Sequence, residues 1–286
     1  MEIIADPYQF QAWCASLDGA QALGFVPTMG ALHAGHAALI RASRRRDERT
    51  AVSIFVNPTQ FGPSEDFTRY PRPLEQDLAL LGNEGVAVAF TPAAEAMYPA
   101  GDSVQVEVGE LGERLCGASR PGHFRGVATV VAKLLQLAQP ARAYFGQKDA
   151  VQAAIVRRLI DSLFLPVELV VCPIVRERDG LALSSRNTYL NPEQREAAKV
   201  LSRALRTMGE AYDAGERETA ALLLIGRDVL AGEPGARLEY LAAVDAATLL
   251  PVAAAGPGTL FAVAAFCGPT RLIDNAHIDH NGVYLL

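Results

Sequence analysis

Two histidines separated by two residues, His33 and His36, lie in a glycine-containing segment that could bind an anion. An apolar run precedes the segment, and an apparent helix, 37–46, follows it. A strand, a tight turn and a helix N-terminus together bring backbone N–H groups and the positive end of a helix dipole to one point. Gly30 and Gly35 carry no Cβ and let the backbone approach a ligand closely. Since imidazoles can donate to phosphate oxygens, the pattern predicts a phosphate site.

Three other interpretations of this segment are possible. Gly30 and Gly35 have the G-x-x-x-x-G spacing of a P-loop, but His36 and Ala37 stand where Lys followed by Ser or Thr is required. An H-x-x-H pair supplies only two zinc ligands, and the four cysteines are scattered without a C-x-x-C pair. Taken alone, the segment could equally be two histidines that cap a helix.

A second polar pair follows a buried-looking strand, 51–56. Ligands meet open α/β sheets at the carboxyl ends of parallel strands, so Asn57 and Gln60 are candidates for binding. Asn57 could equally be a turn former before Pro58. Gln60 is harder to explain as a turn residue.

Three later segments carry further candidate donors. Segment 120–126, RPGHFRG, precedes an apolar helix and could be an anion site or a solvated basic loop. Lys148 follows a strand and is one of only three lysines among 26 basic residues, and its rotatable ammonium suits a phosphate that moves during reaction. Ser184 and Ser185 beside Arg186 could clamp a polyphosphate, although such serines often cap helices.

The segments PTMGALHAGH, SIFVNPTQF, RPGHFRGV, FGQKDxxQ, DGLALSSRN and RLIDN occur here in that order. This set resembles the pantothenate synthetases, a family of the H-x-G-H nucleotidyltransferase superfamily, over about the whole chain. The resemblance implies that the chain joins pantoate to β-alanine with ATP, through a pantoyl adenylate, and releases AMP and pyrophosphate. The SSR run is similar to the mobile KMSKS-like phosphate loop of that superfamily.

The resemblance also implies roles for individual residues. Expected catalytic residues are His36 as proton donor, His33, Lys148 and Arg186. The residues expected to bind ATP are Met29, Gly30, His33, Gly35, His36, Gly146, Gln147, Lys148, Asp149, Val175, Leu183, Ser184, Ser185 and Arg186. Gln60, Gln152 and Asn57 are expected to bind pantoate, and Gln60 also to help hold β-alanine. Mg²⁺ is expected to bridge phosphates, with no protein ligand assigned to it. Departures from residues common in the family are Gln147, Ala150-Val151 and Thr59.

Composition limits the other classes of function. The net charge is −6 with no sustained basic stripe, which argues against a nucleic-acid partner. The N-terminus lacks a secretory pattern, and Pro, Gly and Asp interrupt the alanine-rich region 241–267, which argues against a membrane span. Four isolated cysteines fit reduced thiols in the cytoplasm. The family suggests a homodimer, and segments 51–56 and 127–138 could be its surface or could be core.

The order of elements predicts an α/β fold. Short apolar strands near 22–27, 51–56, 86–90, 141–145 and 167–172 alternate with helices, so we expect a Rossmann-like parallel sheet with helices on both faces in domain 1–178. Domain 179–286 is expected to be a smaller α+β lid, with an Asn191-Pro192 helix start, a helix over 219–230, and strands near 238–244 and 259–266.

Two rival functions belong to other classes. An adenylyltransferase of the same superfamily would leave AMP on its product, and the full motif set weighs against it. A nucleotide-binding oxidoreductase would need a G-x-G-x-x-G after a predicted strand, and none is present.

Overall fold

The computed structural model describes residues 1–17, 22–63 and 65–286. The chain divides into two compact units. The first comprises Met1–Gly146 and Ile155–Cys172, and the second comprises Gln147–Ala154 and Pro173–Leu286. The predicted division into 1–178 and 179–286 stays a prediction.

A parallel sheet forms the centre of the first unit. Its strands are β1 (Glu2–Ile4), β2 (Leu23–Thr28), β3 (Arg49–Ile54), β4 (Val88–Phe90), β5 (Arg142–Gly146) and β6 (Glu168–Cys172). In the described residues these six strands lie in the order β1-β4-β3-β2-β5-β6, and every neighbouring pair is parallel. The predicted α/β parallel sheet is therefore confirmed, with one short edge strand, β1, that was not predicted.

Helices cover both faces of this sheet. The helices of this part of the chain are α1 (Pro7–Ala15), α2 (Ala34–Arg46), α3 (Leu74–Asn83), α4 (Ala94–Met97), α5 (Cys116–Ser119), α6 (His123–Ala138) and α7 (Ala150–Ser162), the last of which runs across the boundary between the units. Neighbouring side chains of a strand point to opposite faces. On β2, Phe25 pairs with Phe10 of α1, whereas Val26 belongs to a buried cluster with Ile40 of α2 and Leu81 of α3.

The direction of strand addition reverses between β2 and β5. From β2 the chain adds β3 and then β4 on one side, whereas β5 and β6 lie on the other. In open α/β sheets, ligands bind at the carboxyl ends of the strands where the order reverses. At this point β2 ends at Thr28, directly before the segment that carries the two histidines.

The second unit is an antiparallel sheet with helices. Its helices are α8 (Pro192–Ala198), α9 (Val200–Asp213) and α10 (Thr219–Ala231), and its strands are β7 (Ala236–Asp245), β8 (Thr259–Cys267), β9 (Thr270–Ile278) and β10 (Tyr284–Leu285). The described strands lie in the order β10-β9-β8-β7. Apolar residues of α9, including Leu205 and Met208, are buried with Phe261 and Val263 of β8. This confirms the predicted α+β class.

The predicted helix start at Asn191 is also confirmed. The Asn191 side chain accepts from the backbone N–H of Gln194, while the Gln194 side chain accepts from the backbone N–H of Asn191. Pro192 occupies the first helical position, where the absence of an N–H leaves no hydrogen bond unmade. Within the described part of the chain, no helix combines the length and the apolar character that crossing a membrane requires.

Candidate active site

Helix α2 begins three residues earlier than predicted, at Ala34, with His33 as its N-cap. Nδ1 of His33 accepts from the backbone N–H of Gly35 at 3.1 Å, and Nδ1 of His36 accepts from the backbone N–H of His33 at 3.3 Å. This reciprocal arrangement is a capping box built from two imidazoles. The interpretation of the two histidines as helix caps is therefore confirmed.

Capping also determines which ring nitrogen carries the proton. A backbone N–H can only donate, so both Nδ1 atoms are acceptors, and each neutral imidazole must carry its proton on Nε2. The ring centroids of His33 and His36 lie 4.2 Å apart. Capping and anion binding therefore use different nitrogens, and the cap does not prevent either Nε2–H from donating to a phosphate oxygen.

Asp77 of α3 holds the loop between β2 and α2. Its carboxylate accepts from the backbone N–H of Ala31 at 2.8 Å and of Leu32 at 2.7 Å, and the residue is almost fully buried. Burial raises the pKa of the Asp77 carboxyl, while the two N–H donors oppose that rise. Gly30 has φ +79°, and a Cβ there would lie 2.9 Å from both Asp77 Oδ2 and Ile54 Cγ2. The loop shape therefore depends on a glycine and on a distant carboxylate.

Asn57 organises the segment that contains Gln60. Its Oδ1 accepts from the N–H of Thr59, the hydroxyl of Thr59 and the hydroxyl of Tyr98, the last at 2.8 Å. Its Nδ2 donates to Gln60 Oε1 at 3.1 Å and to the Gly126 carbonyl at 3.2 Å. Because both donor hydrogens have partners within the protein, the geometry favours a positioning role for Asn57.

Gln60 ends a 3₁₀ turn, Pro58–Gln60, that Asn57 caps. Its Nε2 lies 3.0 Å from Met29 Sδ, so this segment and the one that carries the two histidines are neighbours within the first unit. The interpretation of Asn57 as a turn former is confirmed. Gly126 of α6 packs on the same turn so closely that a Cβ would lie 2.4 Å from the Thr59 carbonyl oxygen.

A chain of three charged or polar side chains ends on the Gln60 carbonyl. Glu65 accepts two hydrogen bonds from Arg120, at 2.7 and 2.6 Å, and Arg120 Nη1 lies 2.9 Å from His123 Nε2. His123 Nδ1 lies 2.7 Å from the carbonyl oxygen of Gln60. A guanidinium only donates and a carbonyl only accepts, so His123 carries its proton on Nδ1.

For Arg120 and His123, this chain of contacts corrects both interpretations of segment 120–126. The Arg120 side chain is largely buried and its guanidinium pairs with the Glu65 carboxylate, so it is not available to a ligand anion. Burial raises the pKa of the Glu65 carboxyl, but the hydrogen bond and charge of Arg120 outweigh burial and hold this pKa below its usual range. The segment therefore supports the Gln60 turn.

In the second unit, Lys148 lies in a 3₁₀ turn, Gln147–Asp149, directly before α7. Its ammonium is 3.8 Å from Asp149 Oδ1. Helix α7 begins at Ala150, so Lys148 precedes the helix and Gln152 lies in its first turn. The Gln152 side chain makes no hydrogen bond to any residue that the structure describes, and it is partly exposed.

The remaining candidates surround a turn closed by Gly180. Leu183 donates its backbone N–H to the Val175 carbonyl at 2.9 Å, and Gly180 has φ +90°. Ser184 follows directly and caps the 3₁₀ turn Ser185–Tyr189, because its Oγ accepts from the N–H of Arg186 at 3.3 Å. The capping interpretation of Ser184 is therefore confirmed.

The predicted site residues fall into two sets, one in each unit. The first unit holds Met29, Gly30, His33, Gly35, His36, Asn57, Gln60 and Gly146, and the second holds Gln147, Lys148, Asp149, Gln152, Val175, Leu183, Ser184, Ser185 and Arg186. Sequence reasoning missed Asp77 and Tyr98, included Asn275 only as part of the RLIDN segment, and assigned His123 and Arg120 a different role. None of these five residues lies in a sequence pattern that indicates the contact it makes in the structure.

The fold and the first of these sets define a class of protein. A doubly wound parallel sheet with an H-x-G-H helix start at the switch point is the arrangement of a nucleotide-binding α/β protein. The sequence model of the family described as pantoate-beta-alanine ligase matches residues 2–277. The chain belongs to this family.

Individual relatives point to the same family. The chain is 58% identical over 257 residues to a pantothenate synthetase of Acidobacterium capsulatum, covering 90% of this chain and 86% of that protein. It is similar to the crystal structure of pantothenate synthetase from Thermus thermophilus, with a TM-score of 0.92, 49% identity, and coverage of 96% and 98% of the two chains. A structure from Francisella tularensis, described as pantoate-beta-alanine ligase complexed with beta-gamma ATP and beta-alanine, has a TM-score of 0.79 and 35% identity, and the match covers 96% of this chain and 97% of that chain.

Proposed function

We propose that this chain joins pantoate to β-alanine with ATP and releases AMP and pyrophosphate. Membership of the pantoate-beta-alanine ligase family, matched over residues 2–277, is the observation that carries the proposal. The Francisella tularensis relative, solved with beta-gamma ATP and beta-alanine, supports the same two ligands here.

The reaction needs two steps because a carboxylate is a poor acyl donor, whose leaving group would be oxide. In the first step a pantoate carboxylate oxygen attacks the α-phosphorus of ATP, the bond to the bridging oxygen breaks, and pyrophosphate leaves. In the second step the β-alanine nitrogen attacks the activated carbonyl carbon, the bond to AMP breaks, and the amine loses a proton. Charge develops on phosphate oxygens in the first step, so oriented donors supply most of the catalysis.

The first unit supplies imidazole donors for this step. We assign His36 as the proton donor and His33 as a second donor, each acting through Nε2–H, because Nδ1 serves the helix cap. Met29, Gly30 and Gly35 would bring backbone close to the nucleotide. Asp77 fixes the path of the loop on which these residues lie.

The second unit supplies cationic and hydroxyl donors. Lys148 and Arg186 would neutralise charge on phosphate oxygens, and Ser184 and Ser185 would donate to the same group. The other residues that we assign to the nucleotide are Gly146 of the first unit and Gln147, Asp149, Val175 and Leu183 of the second.

A Mg²⁺ ion that accompanies ATP fits this set of residues. The described residues include no group of three His, Cys, Asp or Glu side chains that could hold a metal. Mg²⁺ does not need such a cage, because it keeps several waters and binds through one or two carboxylates plus substrate phosphates. Asp149, which is half exposed beside Lys148, could supply one carboxylate. When bound, the ion would offset negative charge on the phosphates.

We assign pantoate to Gln60 and Gln152, whose amides can donate and accept at once. This suits both the hydroxyls and the carboxylate of pantoate, and Gln60 would also help to hold β-alanine. Asn57 would act on pantoate through Gln60, because its own hydrogen-bonding groups already have partners.

We also propose a homodimer in the cytoplasm. The free state of Cys14, Cys116, Cys172 and Cys267 supports a reducing compartment. Of the two segments considered for the dimer surface, 51–56 lies largely in interior strand β3, whose Ala51 and Val52 are fully buried. Much of α6 is also buried, so the structure favours a core role for both segments.

Isotope exchange tests the proposed function directly. With ATP and Mg²⁺, pantoate alone should support exchange of labelled pyrophosphate into ATP, and net AMP release should require β-alanine as well. An adenylyltransferase would leave AMP on its product. Absence of exchange with pantoate, or a product that retains AMP, would refute the proposed function.

A further inference from the structure

Two consecutive residues of β9, Asp274 and Asn275, are almost fully buried although both are polar. Asn275 Nδ2 donates to the carbonyl oxygens of Gln147 and Lys148, each at 2.9 Å. In return, Gln147 Nε2 donates to Asn275 Oδ1 at 3.0 Å. One side chain thus holds the backbone of the turn that presents Lys148.

Asp274 holds a different segment. Its carboxylate accepts two hydrogen bonds from Arg176, at 2.7 and 2.9 Å, and Arg176 also donates to the Gly180 carbonyl at 3.1 Å. This pair therefore fastens the turn over 175–183 to β9. Ser184 follows that turn directly, so its position depends on how the turn is held.

The two contacts differ in chemistry but have the same consequence. Neighbouring side chains of a strand project to opposite faces, which lets a single dipeptide reach two segments. Asn275 binds main-chain oxygens, and Asp274 binds a guanidinium that in turn binds a main-chain oxygen. Both contacts therefore fix backbone shape, and a polar group buried in this way costs stability when its partner is removed.

We infer that Asp274 and Asn275 are positioning residues that hold both phosphate-binding segments of the second unit in the conformation that receives ATP. The inference rests on the proposed function, because it takes Lys148 and Ser184–Arg186 to be the nucleotide's donors. Donors that are oriented before the ligand arrives need no reorganisation during reaction, so loosening them weakens ATP binding. Pantoate binding through Gln60 of the first unit should be affected much less.

Asn275→Asp tests the inference with almost no change of shape. The new carboxylate oxygen faces the Gln147 and Lys148 carbonyls and cannot donate to them. We expect the dissociation constant of a non-hydrolysable ATP analogue, measured by calorimetry, to rise on the order of tenfold or more. Amide hydrogen exchange of residues 147–149 should become faster. Asn275→Ala deletes the donor without adding charge and should also raise the dissociation constant. This second variant tests the inference if the Asp variant does not fold.

Glu239→Gln is the matched control. Glu239 pairs at 2.7 Å with Arg271, which lies on β9 as Asn275 does, and both side chains of this pair are largely buried. The replacement removes an ion pair of β9 without touching 147–149 or 176–180. We expect the ATP analogue to bind this control with nearly wild-type affinity.

The outcomes separate this inference from the proposed function. Wild-type affinity for the analogue in a folded Asn275 variant would overturn the inference, as would equal weakening in the control. Lack of analogue binding by the wild-type chain would overturn it too. If the wild-type chain binds the analogue but makes no pantothenate, and Asn275→Asp weakens that binding selectively, the proposed function fails and the positioning role stands.

Discussion

His123→Ala should weaken the binding of pantoate while leaving that of ATP almost unchanged. His123 holds the carbonyl of Gln60 at 2.7 Å and is itself held by Arg120 at 2.9 Å. Gln60 is one of the two residues that we assign to pantoate, and among the described residues no other side chain donates to its carbonyl. Loss of the imidazole therefore releases one side of the turn.

The size of the effect follows from the hydrogen bond that is lost. A buried hydrogen bond contributes about 0.5 to 1.5 kcal/mol net, and the Arg120 charge behind the imidazole places this one near the upper end. About 1.4 kcal/mol corresponds to a factor of about ten in an equilibrium constant. If the turn uses this energy to hold Gln60 ready for pantoate, the KM for pantoate should rise about tenfold.

Steady-state AMP release, with each substrate varied in turn, gives the Michaelis constants for pantoate and for ATP separately. His123→Asn should recover part of the affinity, because an amide nitrogen can donate to the same carbonyl although it loses Arg120. Arg125→Gln is a control on the same helix, since Arg125 is half exposed and lies 3.9 Å from Glu107. We expect the control to leave both Michaelis constants unchanged.

Two results would refute the reasoning. One is a folded His123→Ala protein whose KM for pantoate equals that of the wild type, which would mean that Asn57 alone positions Gln60. The other is an equal rise in both Michaelis constants, which would mean that His123 supports the first unit generally. Circular dichroism and a urea unfolding curve establish that the variant is folded.

Four other substitutions probe the remaining contacts. Lys148→Ala should lower turnover by on the order of 10²-fold in a folded protein, because a donor to developing charge is lost; near-normal AMP release would make Lys148 a surface residue. Gln152→Ala should raise the KM for pantoate more than that for ATP, and equal effects on both would contradict our assignment. His36→Ala should slow adenylate formation by roughly 10²-fold, whereas preformed pantoyl adenylate should restore most of the rate in single-turnover mixing; damage to both steps would mean that His36 mainly shapes the loop. Glu65→Gln should cost on the order of 1 kcal/mol of unfolding free energy near neutral pH, since Arg120 is left without its charged partner. Arg120 lowers the pKa of Glu65 in the folded chain. The stabilisation by this ion pair is therefore fully present above the carboxyl's ordinary pKa, about 4.3, and disappears as the pH falls further. A difference in unfolding free energy between the wild type and Glu65→Gln that persists in acid would refute the ion-pair explanation.

The elements that the sequence predicted well are those with a long apolar pattern. Strands of a parallel sheet that is covered on both faces appear as continuous apolar runs, which is how β2 to β6 were found. Strand β1 is as short as β4, but it begins with a charged residue and is mostly exposed, whereas β4 is fully buried and ends an apolar run. Strand β9 carries Asp274 and Asn275 at buried positions, so its polar residues conceal the burial that would mark it as a strand.

The start of α2 shows why boundaries are harder to predict than elements. Apolar periodicity begins near Ala37, but the helix begins at Ala34. Glycine and histidine form helices poorly, so Gly35 and His36 do not suggest a first turn. The reciprocal hydrogen bonds between His33 and His36 compensate for that poor propensity. The sequence offered capping and phosphate binding as alternatives for these two residues, and only the ring nitrogens show that capping leaves Nε2 of each residue available.

The residues that hold the candidate site share a property that explains why the sequence did not reveal their role. Asp77 binds N–H groups 46 and 45 residues away, His123 binds a carbonyl 63 residues away, and Asn275 binds a carbonyl 127 residues away. Each contact is made to the main chain of a loop, and main-chain groups are the same whatever side chains the loop carries. The residues of the loop therefore contain no information about their distant partner, whereas a donor aimed at phosphate is recognisable by its type. It follows that replacing a holding residue should alter binding by the loop even when every residue in contact with the ligand is unchanged.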